Sequence, residues 1–238
     1  MRKVRDAYLN SMPDFGLKEV KVIARMGGLI NFTDEKGNTL LHFARTEEAV
    51  KALIEYGADV DASNTWHKRP IHFAETAEIA KLLMDASTER VHSTALHNVR
   101  SAEIAKVLIE AGADVNVEDS CWNVPLHKVR SAEIAKVLIE AGADVNVKNN
   151  SGNTPLHFTR STEITKVLIE AGAKVNARNH LRETPLHKAT SIEAVRILIE
   201  AGADPYDLDH KGRSFDMYFR GHETAINKII RKNRKVNG

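Results

Sequence analysis

An all-α solenoid of stacked helix-turn-helix units is the fold class that this sequence predicts, and three observations predict it. Residues 99–117, VRSAEIAKVLIEAGADVNV, recur unchanged at 129–147, an offset of 30. His97, His127, His157 and His187 keep that spacing, as do His42 and His72, with one shorter step of 25 from His72 to His97. Each copy also holds two helix signals separated by a capping Ser or Thr. Fixed periods of this length mark units that cannot bury their apolar faces alone and must stack on neighbours.

The unit from Thr154 onward shows how each element arises. Thr154-Pro155 opens a first helix: Thr is a capping residue, and Pro at the first helical position gives up an amide that has no intrahelical partner there. Leu156-His157-Phe158-Thr159 complete that short helix. A second helix starts at Ser161, with Glu163 in its first turn to complement the dipole, and the same Ser or Thr stands at Thr46, Thr76, Ser101, Ser131 and Ser191. Ile164, Val167 and Leu168 fall at i, i+3 and i+4 and form one apolar stripe, whereas Glu163, Lys166 and Glu170 take the wet side. Gly172 ends the helix as a left-handed cap. Val175 to Glu183 then reads as a hairpin-like turn tip leading to the next Thr184-Pro185.

Composition agrees with a folded, soluble chain. Of 238 residues 42% are hydrophobic, and 34 Lys+Arg against 32 Asp+Glu give a formal charge of +2. The single cysteine, Cys121, forbids an intramolecular disulfide and supplies no thiolate cluster. No run approaches the ~18 apolar residues of a membrane span, and the basic start Met1-Arg2-Lys3 has no apolar stretch behind it, so no export signal is visible. That points to the cytoplasm, or to secretion without a recognisable N-terminal signal or with one removed ahead of Met1. Asn31-Phe32-Thr33 and Asn149-Asn150-Ser151 match the glycosylation tripeptide by chance in that setting.

TPLH at 154–157 and 184–187, VPLH at 124–127, and EIAKVLIEAGADVN at 103–116 and 133–146 resemble the ankyrin repeat. The likeness runs from about Asp14 to Asp204, and half-matches at Gly27-Gly28 and Gly212 extend it over nearly the whole chain. Repeats of that family run to about 33 residues, so three are missing here, between the LH motif and the Glu of the second helix. The organisation expected is one repeat domain over 1–238. It has an N-terminal cap (1–30), six internal repeats (31–205) that begin near Asn31, Asp61, Ser87, Asn116, Asn146 and Asn176, and a C-terminal cap with a basic tail (206–238). The resemblance implies a protein-binding role as adaptor, inhibitor or effector, with inner helices and turn tips lining a concave binding face.

No catalytic motif is present: there is no HExxH, CxxC, GxSxG or P-loop. No cofactor or metal is expected, and the chain is read as a non-enzyme. The six LH histidines cannot share an ion, because stacked helices lie about 10 Å apart and Zn–N bonds are about 2 Å. They read instead as imidazoles bonded to neighbouring turn backbone.

Binding residues are sought where the repeats differ. In the tips, the slot of Gly37, Gly152 and Gly212 holds His67, Trp122 and Arg182, and the slot before it holds Trp66, Cys121 and Leu181. Trp and Arg are enriched at interface hot spots; the alternative is an indole lying flat on the adjacent tip. After the LH motif stand Phe43, Phe73, Asn98, Lys128, Phe158 and Lys188, and two residues on Arg45, Glu75, Arg100, Arg130, Arg160 and Thr190. The second set offers a basic ladder for an acidic patch on a partner; otherwise the Phe are core and the Arg pair with nearby Glu. Residues 1–30 carry six basic and three acidic side chains and 206–238 carry eight and four, which leaves 20 and 25 for a mildly acidic array. Its acids sit on the second helices (Glu103, Glu110, Glu133, Glu140, Glu163, Glu170), so acid is expected outside and base inside. The candidate partner-binding residues are Trp66, His67, Trp122, Leu181, Arg182, Phe43, Phe73, Lys128, Phe158, Lys188, Arg100, Arg130 and Arg160, on a chain that is monomeric when free. The rival reading is nucleic acid or another anionic surface held by the Arg ladder and the tail Lys228, Arg231, Lys232, Arg234, Lys235, against which near-neutral charge argues. The five residues lost between Met84 and His97 should remove one tip from the row.

Overall fold

The computed structural model describes residues 30–87, 93–159, 161–218 and 223–237, and every element among them is helical. The chain divides into two compact units, 1–114 and 115–238. In the first, short inner helices Leu40–Phe43, Pro70–Phe73 and Ser93–Asn98 precede longer helices Glu47–Glu55, Ala77–Ala86 and Ala102–Glu110. In the second, Pro125–Lys128, Pro155–Phe158, Pro185–Lys188 and Phe215–Tyr218 precede Ala132–Glu140, Thr162–Glu170, Ile192–Glu200 and Glu223–Asn237. Within each unit inner helices pack on inner helices and long helices on long helices. The N-terminal cap lies almost wholly outside the described residues, as do 88–92, where the short tip is expected, and Arg160.

Nine-residue helices are marginal in isolation, so the stack decides their stability. Leu53, Leu108, Leu138 and Leu168 are fully buried, one per long helix, and Ile164, Val167 and Leu168 face inward as their spacing requires. The Ser161 hydroxyl accepts from the Glu163 and Ile164 amides, and Thr46, Thr76, Ser101, Ser131 and Ser191 cap their helices in the same way. The exit is a Schellman-type turn: Gly172 N–H donates to Ile169 O and Ala173 N–H to Leu168 O, with Gly172 at φ +88°.

One expectation is corrected at the inner helices. The Thr154 hydroxyl does not cap an amide; it lies 2.9 Å from His157 Nδ1, and it is the imidazole that caps, Nδ1 accepting the Thr154 N–H at 3.1 Å. The segment is a single tight turn with too few residues to bond internally, so the ring supplies what the helix cannot. The same Nδ1 contact recurs at His42, His72, His127 and His187. Because Nδ1 accepts, the proton sits on Nε2, which donates to a carbonyl 26 residues on: Lys68 O from His42, Asn153 O from His127, Glu183 O from His157 and Arg213 O from His187, all at 3.0–3.2 Å. The sequence reading of these histidines as backbone-bonded is thus what the structure shows. Where the repeat is short, His72 Nε2 instead meets the Thr94 hydroxyl at 3.1 Å.

A second ladder runs along the loops after the long helices. Asn116 Nδ2 donates to Gly142 O while its Oδ1 accepts the Asp144 N–H, and Asn146 and Asn176 repeat both bonds with Gly172 and Lys174 and with Gly202 and Asp204. At the end of the second unit Ile226 is buried, and Asn233 Nδ2 donates to Ile199 O at 2.9 Å, which docks the last helix on Ile192–Glu200.

Two outcomes follow from the imidazole ladder. His157→Ala leaves the buried Thr154 N–H without its acceptor and removes one of the two donors on Glu183 O, whose other is the Asn179 N–H, and is expected to cost roughly 1–3 kcal/mol in urea unfolding. Burial pulls His157 down to about 4, the Glu183 carbonyl opposing and Lys188 adding to the fall; burial also lowers His42. The unfolded chain therefore takes up more protons, and this stabilisation is complete above about pH 6.5 and lost as pH falls toward 4. The urea midpoint should drop across that window, with a smaller drop in a His157→Asn variant.

Candidate protein-interaction surface

Each tip is built by one Asp or Asn. In the second unit Asp119 Oδ1 accepts the Cys121 and Asn123 amides, Asn149 those of Ser151 and Asn153, Asn179 those of Leu181 and Glu183, and Asp209 those of Lys211 and Arg213. Backbone bonds close the same loop, for example Asp119 N–H to Asn123 O and Trp122 N–H to Asp119 O, both 2.9 Å. The tips are therefore closed turns with the hairpin-like connection expected, and they contain no strand. They join edge to edge through Asn150 N–H to Cys121 O, His180 N–H to Ser151 O and His210 N–H to Leu181 O, and inside through Asn149 Nδ2 to Asn123 Oδ1 and Asn179 Nδ2 to Asn153 Oδ1.

This closure forces the fourth tip residue into left-handed backbone. Glycine meets that demand at Gly152 (φ +76°), yet His67, Trp122 and Arg182 adopt φ +55°, +59° and +56°. Left-handed conformations in non-Gly residues cost of order 1–3 kcal/mol and persist where the surroundings impose them, often at functional sites. Trp66 and Trp122 are more than half exposed, and Leu181 and Arg182 are exposed with them. The alternative of an indole on its neighbour holds in part for Trp66: Lys36 Nζ of the adjacent tip lies 5.8 Å from its ring centroid.

On the inner helices the Phe slot is partly open, as Lys128 and Lys188 in it imply. Phe43 and Phe73 are half-buried and Phe158 is 44% exposed; the rings of Phe73 and Phe158 meet His42 and His127 edge-on at 5.7 Å. In the first unit the Arg ladder pairs with acid: Arg45 and Arg100 both reach Glu75, at 3.1 and 3.0 Å. In the second, Arg130 is exposed, and Glu133, Glu140, Glu163 and Glu170 lie exposed on the long helices as expected.

The residue set that sequence reasoning missed is acidic. In the second unit Lys128 pairs with Asp119, Lys188 with Glu183, Arg178 with Asp207 and Arg213 with Asp209, and in each pair the carboxylate is the more buried member. The Arg178 side chain is 50% exposed against 6% for Asp207, and Lys188 40% against 8% for Glu183. Arg178 engages Asp207 bidentately, Nε to Oδ2 at 2.8 Å and Nη2 to Oδ1 at 2.6 Å. Burial raises the Asp119 pKa, but the Lys128 ammonium and the Asn123 and Cys121 amides outweigh it and hold the carboxyl well below its usual range; Lys188 and Asn179 do the same for Glu183. Charge-balanced pairs thus form a layer with anions inside and cations outside, and an approaching molecule meets the cations first. The sequence signal available was the Asp or Asn alternation at the tip starts, but pairs such as Arg178–Asp207 join adjacent repeats and carry no local signature.

Among the described residues no group of three or more His, Cys, Asp or Glu is placed to hold a metal ion, and no helix is long and apolar enough to cross a membrane.

Relief of backbone strain should be measurable. Trp122→Gly is expected to raise stability by about 0.5–1 kcal/mol, the left-handed cost less the extra unfolded-state entropy of Gly. Gly152→Ala should destabilise by about 1–3 kcal/mol, because its Cβ would sit 2.7 Å from His180 Cδ2 and 2.9 Å from His180 N at φ +76°. Paired urea titrations of the two variants test both signs.

Comparison with known families gives two matches, one in each unit. The family described as "Ankyrin repeats (3 copies)" matches residues 126–209, and "Ankyrin repeat" matches residues 36–65. No curated protein matches the chain. The segment 126–209 spans the tips closed by Asn149 and Asn179 and the ladder histidines His127, His157 and His187, the segment 36–65 spans the helix pair around His42, and in these segments the chain carries ankyrin repeats, which recur here at 30 residues.

Proposed function

We propose that this ankyrin-repeat chain is a non-catalytic module that binds a protein partner with an acidic surface, through the tips and inner helices of residues 115–218. Ankyrin repeats are generic protein-protein interaction modules, which sets the class of function. The observation that carries the acidic partner is the ion-pair layer: four carboxylates turned inward beneath Lys128, Arg178, Lys188 and Arg213, with Arg130, Arg182 and Lys211 exposed around them. Complementary charge speeds encounter and selects among partners, while buried aromatic and Arg anchors carry most affinity. Trp122 and Arg182 are those anchors, held outward at a cost in backbone strain. A rigid surface of this kind acts by occlusion, as an inhibitor, adaptor or effector that covers a functional face of its partner.

A second reading, nucleic-acid binding, is favoured by one feature: Lys228, Arg231 and Lys232 are exposed on the last helix, away from the buried Ile226. It requires log affinity to fall by about 0.9 per log unit of salt for each duplex phosphate neutralised.

The deciding experiment is a pull-down with the full chain from nuclease-treated source lysate at physiological and high salt. A stoichiometric protein that is retained by the wild type and released by Trp122→Ala or Arg182→Glu is expected. For that partner, Trp122→Ala should weaken binding by about 2 kcal/mol or more, roughly 30-fold, in calorimetry. A loss under ~0.5 kcal/mol removes Trp122 from the interface, and capture only when nuclease is omitted favours the second reading.

A further inference from the structure

Three consecutive inner helices of the second unit carry Lys128, Phe158 and Lys188 in the same slot, and the helices that bear them pack directly against one another. Each of the three side chains is 40% exposed or more. Lys128 and Lys188 each spend a donor on a more buried tip carboxylate, Asp119 and Glu183, but an ammonium has three N–H donors, so solvent-facing donors remain on both. Between them Phe158, 44% exposed, offers an aromatic ring that stands nearly perpendicular to His127 with centroids 5.7 Å apart. No tip carboxylate serves the Phe158 slot: its tip, 149–153, is Asn-Asn-Ser-Gly-Asn. The pattern cation, aromatic, cation is therefore repeated at the pitch of the stack.

Packed helices lie about 8–10 Å apart, which places Lys128 and Lys188 roughly 16–20 Å from each other with Phe158 midway. A polyproline II segment advances about 3.1 Å per residue with three residues per turn, so its residues i, i+3 and i+6 share a face at about 9 and 19 Å. One turn of that conformation equals one repeat. A β-strand advances about 3.3 Å per residue and puts i and i+3 on opposite faces, so it cannot present three successive contacts at this pitch. An α-helix advances 1.5 Å per residue and matches only at i, i+7 and i+14, about 10.5 Å apart, at the wide limit of the spacing and with a 10 Å body to accommodate.

We infer that this slot binds an extended, polyproline II segment of a protein partner with the register acidic-x-x-apolar-x-x-acidic, its carboxylates on Lys128 and Lys188 and its apolar side chain on Phe158. The inference rests on the acidic-partner reading and specifies the ligand of that same surface. Arg130 and Thr190, exposed two residues beyond Lys128 and Lys188, flank the path and fit polar residues at the x positions.

The test is fluorescence anisotropy of the full chain with three labelled synthetic peptides. The first contains Glu-Pro-Ser-Leu-Pro-Ser-Glu; the second is its shuffle, with the two Glu adjacent; the third is a helix-forming peptide with Glu, Leu and Glu at seven-residue intervals. The matched peptide should bind at least tenfold tighter than the shuffle. The double variant Lys128→Ala, Lys188→Ala should bring both peptides to the same weak affinity, with an unchanged circular dichroism spectrum, since both side chains lie at the surface. Phe158→Ala should lower the matched peptide alone. Equal binding of matched and shuffled peptides overturns the register yet leaves the acidic-partner reading standing if that binding falls with salt. Tighter binding of the helical peptide, or a register preference that survives in the double variant, overturns the inference as well. No binding of any peptide, with pulled-down protein unaffected by salt, overturns both this inference and the reading beneath it.

Discussion

The rest of the architecture depends on one bond pair, made by a neutral imidazole. In His157 the ring accepts an amide from the start of its own inner helix and donates to a carbonyl of the next tip. It ends one element and begins the contact with its neighbour, so local helix capping and repeat-to-repeat stacking are a single event. An inner helix of four residues has no internal means of satisfying its first amides, and the tip carbonyl, which already accepts one amide of its own turn, keeps a second lone pair for a donor from the stack. One side chain answers both needs because its two nitrogens take opposite roles. Burial keeps the ring neutral, and neutrality preserves the acceptor that the arrangement requires.

The tips inherit their order from that contact. The Glu183 carbonyl that accepts the His157 Nε2–H hydrogen bond belongs to a turn closed by Asn179, and the same turn exposes Leu181 and Arg182. Rigidity at the tip therefore comes from the stack behind it, and it lets Trp122 and Arg182 stay in backbone regions they would otherwise leave. A preorganised side chain loses less entropy when a partner covers it, which raises affinity without any additional contact. The layer of inward carboxylates and outward cations serves the same surface, since burial fixes Asp207 and Asp209 while leaving their Arg partners accessible.

The two units use similar parts to different ends. In residues 30–114 Arg45 and Arg100 share Glu75, whose 38% exposure lies between their 29% and 52%, and the Phe43 and Phe73 rings are half-buried, so that face is less open. In residues 115–218 Lys replaces Phe on either side of Phe158, and the surface is more open, with each cation lying outside the carboxylate it pairs with. The functional reading thus falls on the second unit, although both contain the same repeat.

The sequence by itself determined the helix pairs, the Ser and Thr caps and the Gly172 exit, because each rests on residues within a few positions of one another, and it determined the period and the histidines' bonding to neighbouring turns because the same unit recurs along the chain. It also marked the tip slot, since Trp122 and Arg182 stand where Gly152 stands in a neighbouring copy. Only the tertiary structure decided that the Thr154 cap is the imidazole and not the hydroxyl, that Arg45 and Arg100 share Glu75, and that the carboxylate is the buried member of Arg178–Asp207. The last two facts join residues 25 to 30 positions apart, and the first, though local, is fixed by Glu183 O 26 positions on, which engages Nε2 as the donor and leaves Nδ1 to accept. Burial of a side chain there is set by the next repeat lying over it, and no local pattern records which partner the stack will cover.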